Sequence, residues 1–209
     1  MTYFRANAVL AIVRFREPGD LDGTLDALVE GGIRLLEVTL DTPGALDAIG
    51  RASSTGRSVG AGTVLTADHV RASADAGAGF VVSPGLVLEV VETAARLGIE
   101  AVPGVFTPTE VQQATSHGAA TVKLFPASLG GPEYLRSLRG PFPTVGLVPT
   151  GGVGIEQVAD YLAAGATAVG LGGALVGQTA PTSQADLDAI AARASKAVAN
   201  AARSGSGPS

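Results

Sequence analysis

The chain has no cysteine, which excludes disulfides and thiolate chemistry and removes one signal of redox compartment. Aromatic residues make up only 4% of it, so any core must be built from small and aliphatic side chains. There are two histidines. His69 and His117 fall in segments that read as polar helices, where a solvated imidazole is the plainer reading than a ligand or base. Asp and Glu do not cluster at metal-ligand spacing, so neither a metal site nor a cofactor is expected. Basic residues are in deficit, 14 against 19 acidic for a net charge of −5, which argues against a broad nucleic-acid-binding surface. No run of about 18 apolar residues is present to span a membrane. The start, Met1-Thr2-Tyr3-Phe4-Arg5, lacks the layout of a signal peptide, so a soluble cytoplasmic protein is expected.

What the chain does contain is 46% hydrophobic residues and 29 glycines in 209 positions, enough for one sizeable domain. Short apolar runs alternate with helical patterns at a period of roughly 20 to 25 residues. Strands are expected at Ala8–Arg14, Ile33–Leu40, Ser58–Thr63, Phe80–Ser83, Ile99–Val102, around Lys123, at Thr144–Pro149 and at Thr167–Leu171. Helices close on glycine before several of them, as at Gly98, Gly118 and Gly165, the stop signal of βα units. Apolar strands without clean alternation suit a parallel sheet covered on both faces. Eight such units predict a single-domain α/β fold, a (β/α)₈ barrel over residues 1–203, in preference to an open doubly wound sheet. The tail 204–209 is expected to be disordered.

Two residues break the apolar strands. Lys123 stands in Thr121-Val122-Lys123-Leu124-Phe125, where lost hydration would lower its pKa and free a neutral amine for attack on a carbonyl. The bland alternative is a lysine on the outer face with its head in water. Glu37, in Leu35-Leu36-Glu37-Val38-Thr39-Leu40, is a carboxylate that is costly to bury unless paired or functional. Strands two and six lie across a barrel of eight, so both side chains can reach one ligand near the axis. A buried Glu37–Lys123 pair serving the fold alone is the competing reading.

Active sites of such barrels lie at the carboxyl ends of the strands. Those ends carry Arg14, Thr63, Pro84, Phe125 and Thr150, the candidates for holding a substrate. Period two along the lysine strand puts Thr121, Lys123 and Phe125 on one face, with Phe125 as a roof. Gly151 and Gly152 follow the seventh strand, and Gly172 and Gly173 the eighth. Loops at those two places often bind phosphate through backbone N–H groups, although turns demand glycine as well.

With these residues in place the chain resembles the class I aldolases that act on 2-keto-3-deoxy-6-phosphogluconate, its galactonate epimer and 4-hydroxy-2-oxoglutarate. The matching motifs are Leu36-Glu37-Val38-Thr39-Leu40, Gly60-Ala61-Gly62-Thr63-Val64-Leu65, Ser83-Pro84-Gly85, Val102-Pro103-Gly104, Lys123-Leu124-Phe125-Pro126-Ala127 and Pro149-Thr150-Gly151-Gly152. The resemblance spans about residues 6 to 200. It implies a homotrimer, a lysine Schiff base without metal, and reversible cleavage to pyruvate and an aldehyde. It further implies Lys123 as nucleophile, Glu37 as acid and base, Thr63 on the pyruvyl carboxylate, and Gly151, Gly152, Gly172 and Gly173 on the phosphate. Two positions depart from the phosphogluconate pattern: Asp41 stands where arginine is common, and Ala174 where serine often follows the last glycine pair. Arg14 and Gly131-Pro132-Glu133-Tyr134-Leu135 match galactonate-type members instead. Arg14, rather than Arg34 at the opposite strand end, is the expected carboxylate anchor, against a plain surface pair with Glu17 or Asp41.

Two other readings stay open on sequence. A phosphate-binding barrel of another chemistry, such as a decarboxylase, epimerase or thiamine-phosphate-synthase relative, would explain the glycine pairs but not Lys123. A catalytically silent barrel that binds a sugar acid would not need both Lys123 and Glu37.

Overall fold

The computed structural model describes residues 3–203; the tail expected to be disordered lies outside them. The strands are β1 (Val9–Val13), β2 (Leu35–Thr39), β3 (Ser58–Gly62), β4 (Phe80–Val82), β5 (Glu100–Val102), β6 (Gly104–Val105), β7 (Thr121–Leu124), β8 (Gly146–Pro149) and β9 (Val169–Leu171). The pairings are parallel, as crossover helices between consecutive strands require. A six-stranded sheet runs β5-β4-β3-β2-β1-β9 and a three-stranded one β6-β7-β8. The fifth barrel strand, expected as one piece ending at Val102, is thus two pieces divided at Pro103. Proline has no N–H to give a ladder, yet its carbonyl still accepts from Lys123 N at 2.9 Å.

The barrel closes at two seams. At Pro103 the chain itself carries one sheet into the other. Between β8 and β9 there is an isolated parallel bridge, Thr150 to Gly170, and at the base Thr167 N donates to Leu147 O at 2.9 Å.

Period-two geometry sorts the strand residues into two cores. Val9, Ala11, Val13, Leu36, Val38, Val122 and Leu124 point outward and join the helices in the larger cluster. Leu10, Ile12, Leu35, Phe80, Val82, Val102 and Val148 point inward and fill the barrel, together with Phe4. Phe4 belongs to a short 3₁₀ turn, Tyr3–Ala6, that the strand–helix alternation did not reveal. Its ring meets Phe80 edge-on at 5.1 Å between centroids, in the geometry aromatic pairs prefer.

The helices follow the expected order. α1 (Leu21–Glu30), α2 (Ala45–Ser54), α3 (Ala67–Asp75), α4 (Leu88–Leu97), α5 (Pro108–Ser116) and α6 (Gly131–Arg139) are followed by α7 (Val158–Ala163), which is preceded by a 3₁₀ turn at Ile155–Gln157. A four-residue α8 (Gly173–Val176) was not anticipated, and α9 (Gln184–Arg203) ends the described chain. α5 begins on a capping box in which Thr107 Oγ1 accepts from Glu110 N and Glu110 accepts from Thr107 N, satisfying donors that the first turn leaves open. Among the described residues no helix is long and apolar enough to cross a membrane.

Candidate active site

β7 sends Val122 and Leu124 outward, so Thr121 and Lys123 face the axis. Lys123 is 6% exposed, and its Nζ lies 4.9 Å from the centroid of the Phe125 ring. Burial pushes the Lys123 amine below the ordinary lysine value; Glu37 draws it back up and Arg14 lowers it further. The outer-face alternative is thereby removed: the ammonium head is inside the barrel.

β2 turns Glu37 inward on the same principle. Both carboxylate oxygens are buried and find no hydrogen-bond partner among the described residues. Burial raises the Glu37 pKa above the ordinary carboxyl value, while Lys123 and Arg14 oppose the rise. Both groups therefore shift toward their neutral forms, the direction low-dielectric surroundings impose on an acid and an amine alike. Space for the carboxylate comes from β3. A Cβ on Gly62 would lie 2.0 Å from Glu37 Oε1, closer than any two such atoms can approach.

Arg14 follows β1 on its inward-facing register, after Leu10 and Ile12. One guanidinium nitrogen donates to Thr63 Oγ1 at 2.7 Å, and Nε donates to Thr39 Oγ1 at 3.4 Å. Nε also stands 3.4 Å from Asp41 Oδ2, with both side chains about half exposed at 53%. The pair with Asp41 raised as an alternative thus exists, and it coexists with the turn toward Thr63. Thr63 itself has φ of 56°, a left-handed backbone that is costly for a β-branched residue and concentrates at functional sites. Arg34 is exposed and donates to Val29 O, away from this cluster.

A cavity of about 490 Å³ opens at the carboxyl ends of the strands. Arg14, Lys123, Phe125 and Thr150 line one part of it, and Gly151, Gly152, Gly172 and Gly173 another. Gly151 and Gly152 have φ of 88° and 72°, so both need glycine. The Phe125 ring abuts the glycine loop: a Cβ on Gly151 would fall 2.7 Å from it. Thr150 is held by a second such fit, since a Cβ on Gly170 would sit 2.2 Å from its Oγ1. Glu37 is buried behind this lining, Thr63 reaches the site through Arg14, and Pro84 is not among the lining residues. Pro84 instead packs its carbonyl where a Cβ on Gly104 would fall, at 2.2 Å. Sequence reasoning missed Ile12, Gly177 and Gln178, which also line the cavity. Ile12 could have been found by stepping back two residues from Arg14; the others follow a helix too short to show a period. A groove of about 560 Å³ between Leu40 and Ala72 is slightly larger, but neither Lys123 nor Glu37 belongs to it.

A desolvated amine, a buried carboxyl group at Coulombic range and a cation at the rim make this a barrel built for carbonyl chemistry on an anionic small molecule. Comparison with known proteins gives the family. The family model described as "Aldolase: KDPG and KHG aldolase" matches residues 2–193, and the chain belongs to that family of aldehyde-lyases. It is 40% identical over 165 residues to the 2-dehydro-3-deoxy-phosphogluconate aldolase of Pseudomonas aeruginosa, covering 78% of this chain and 75% of that protein. It is 38% identical over 171 residues to a probable 2-dehydro-3-deoxy-6-phosphogalactonate aldolase of Rhizobium meliloti, covering 80% and 81%. The solved KDPG aldolase of Legionella pneumophila, with pyruvate captured at low pH as a covalent carbinolamine, is 31% identical with a TM-score of 0.79, over 92% of this chain and 94% of that one.

Proposed function

We propose that this aldolase cleaves a 2-keto-3-deoxy-6-phospho sugar acid, or 4-hydroxy-2-oxoglutarate, to pyruvate and an aldehyde through an imine on Lys123. The burial of Lys123 beside Phe125 carries this reading. The neutral amine attacks C2 of the keto acid, and the carbonyl oxygen takes a proton to give the carbinolamine. Loss of water leaves the iminium, an electron sink next to C3. A base removes the C4 hydroxyl proton, the C3–C4 bond breaks, and its electron pair becomes the enamine as the aldehyde departs. Protonation at C3 and hydrolysis then release pyruvate and restore the amine.

Glu37 shuttles these protons. A carboxyl group with a raised pKa retains its proton nearer neutrality and can return it, which is the requirement for acting as acid and base in turn. Arg14 grips the substrate carboxylate with its free edge, assisted by Thr63, and the glycine loops after β8 and β9 receive the far end of the substrate. The homotrimer implied by the family resemblance belongs to the same proposal. The carbinolamine captured on pyruvate in the Legionella relative supports covalent chemistry in this cavity.

Incubation with pyruvate and borohydride should add the mass of reduced pyruvate to the protein, and Lys123→Arg should abolish the addition because a guanidinium is not deprotonated in proteins. Glu37→Gln should still be trapped but should exchange pyruvate methyl protons with deuterated water about 10²- to 10⁴-fold more slowly. Trapping on the Lys123→Arg protein would overturn the assignment.

A further inference from the structure

Among the described residues, the cavity lining holds two charged side chains, Arg14 and Lys123. On the proposed reading both are occupied at one end of the substrate, by the carboxylate and by C2. The other end is bounded by Gly151, Gly152, Gly172, Gly173 and Ala174, none of which offers a charge. Two polar side chains stand near it: the amide of Gln178, which is part of the lining, and Ser128, whose Oγ would lie 2.6 Å from a Cβ on Gly152.

The backbone favours the placement of Gln178 at two points. Gly177, just after α8, has φ of 82° and ψ of −168°, a conformation essentially restricted to glycine. It turns the chain so that Gln178 comes back over the helix start. There a Cβ on Gly173 would lie 2.5 Å from Gln178 Nε2, which places the amide against the start of α8. That amide makes no hydrogen bond to any other described residue, although it carries two donors and an acceptor. Gln178 is an exposed residue, so its amide is open to solvent and, as part of the cavity lining, is available to a ligand there.

We infer that Gln178 is a specificity-determining residue of this aldolase, its amide holding the terminal group of the sugar acid beside Gly172 and Gly173. The inference rests on the proposed cleavage reaction. Because the amide is neutral and can both donate and accept, it serves a phosphate ester through Nε2 and a free hydroxyl through Oε1. Phosphate preference in this enzyme is therefore set by hydrogen bonds without a cation, and it is modest.

The test compares cleavage of the 6-phosphorylated and the unphosphorylated form of one 2-keto-3-deoxy sugar acid, each rate divided by the same variant's methyl-proton exchange rate on pyruvate. That reference involves no terminal group, so damage to Lys123 or Glu37 cancels. Gln178→Glu sets a carboxylate against the phosphate and should lower the phosphorylated-to-unphosphorylated ratio of kcat/KM about tenfold or more. Gln178→Arg should raise it, and Gln178→Ala should weaken both substrates. Normalised ratios that do not move in Gln178→Glu and Gln178→Arg overturn the inference, as does a fall of equal size for both substrates in Gln178→Glu. If the wild-type protein neither exchanges nor traps pyruvate, the cleavage reaction itself fails and the inference with it. That outcome is distinct from exchange that persists with an unmoved ratio.

Discussion

Phe125 has two opposed effects on Lys123. Its ring face attracts the ammonium at 4.9 Å, which favours the charged form, while its bulk keeps water away, which favours the neutral one. A cation–π contact contributes about 0.5–2 kcal/mol, whereas burial is the leading influence on Lys123 and acts in the opposite sense. Exclusion of water therefore wins, in keeping with the lowered Lys123 pKa. Below its pKa the amine is protonated and cannot attack, so imine formation falls as pH drops through that value. Phe125→Ala should rehydrate the ammonium, raise the pKa and move this acidic limb to higher pH. The pH dependence of borohydride trapping measures it, and a limb that stays or moves lower would make Phe125 a cation partner rather than a roof. At this scale much was legible in the sequence: Lys123 and Glu37 announce themselves as charges in apolar strands, and Arg14 as the charge that closes one. Gln178 could not be read, because nothing local marks which exposed amide folds back over a cavity.

Among the elements, β3 shows how glycine positions chemistry. Gly60 and Gly62 both face the axis, but for different neighbours. A Cβ on Gly60 would lie 2.4 Å from the Phe80 ring, and one on Gly62 2.0 Å from the Glu37 carboxylate. Gly60→Ala should behave as an overpacked core, losing about 1–3 kcal/mol of stability with pyruvate exchange per folded molecule retained. Gly62→Ala should push Glu37 aside, cutting exchange while borohydride trapping on Lys123 persists. Thermal melts alongside both assays separate the two, and exchange retained in Gly62→Ala would count against this positioning role. The strand–helix order was visible because glycine stops and apolar runs are local signals. The reasons for Gly60 and Gly62 were not, since Phe80 and Glu37 lie on neighbouring strands. The break at Pro103 was hidden for a similar reason, as Val102-Pro103-Gly104 reads equally well as a strand end.

On the scale of the whole molecule, the barrel consists of two hydrogen-bonded bodies. Lys123 belongs to the three-stranded sheet, whereas Glu37 and Arg14 are carried by the six-stranded one. The amide of Thr167 crosses the seam between β8 and β9, while those of Leu36 and Val38 lie in the centre of the larger sheet. Ladders with few bonds open at lower free energy than continuous ones, so Thr167 should exchange its amide hydrogen faster than Leu36 or Val38. Pyruvate should slow it, because an imine on Lys123 whose carboxylate is held by Arg14 ties one body to the other. Equal exchange at these positions, or no response to pyruvate, would show a barrel that opens as a single unit. A seam of this kind would work like a hinged clamp with the substrate as its pin: heat that loosened the joint would part Lys123 from Glu37, the pair proposed as nucleophile and proton donor.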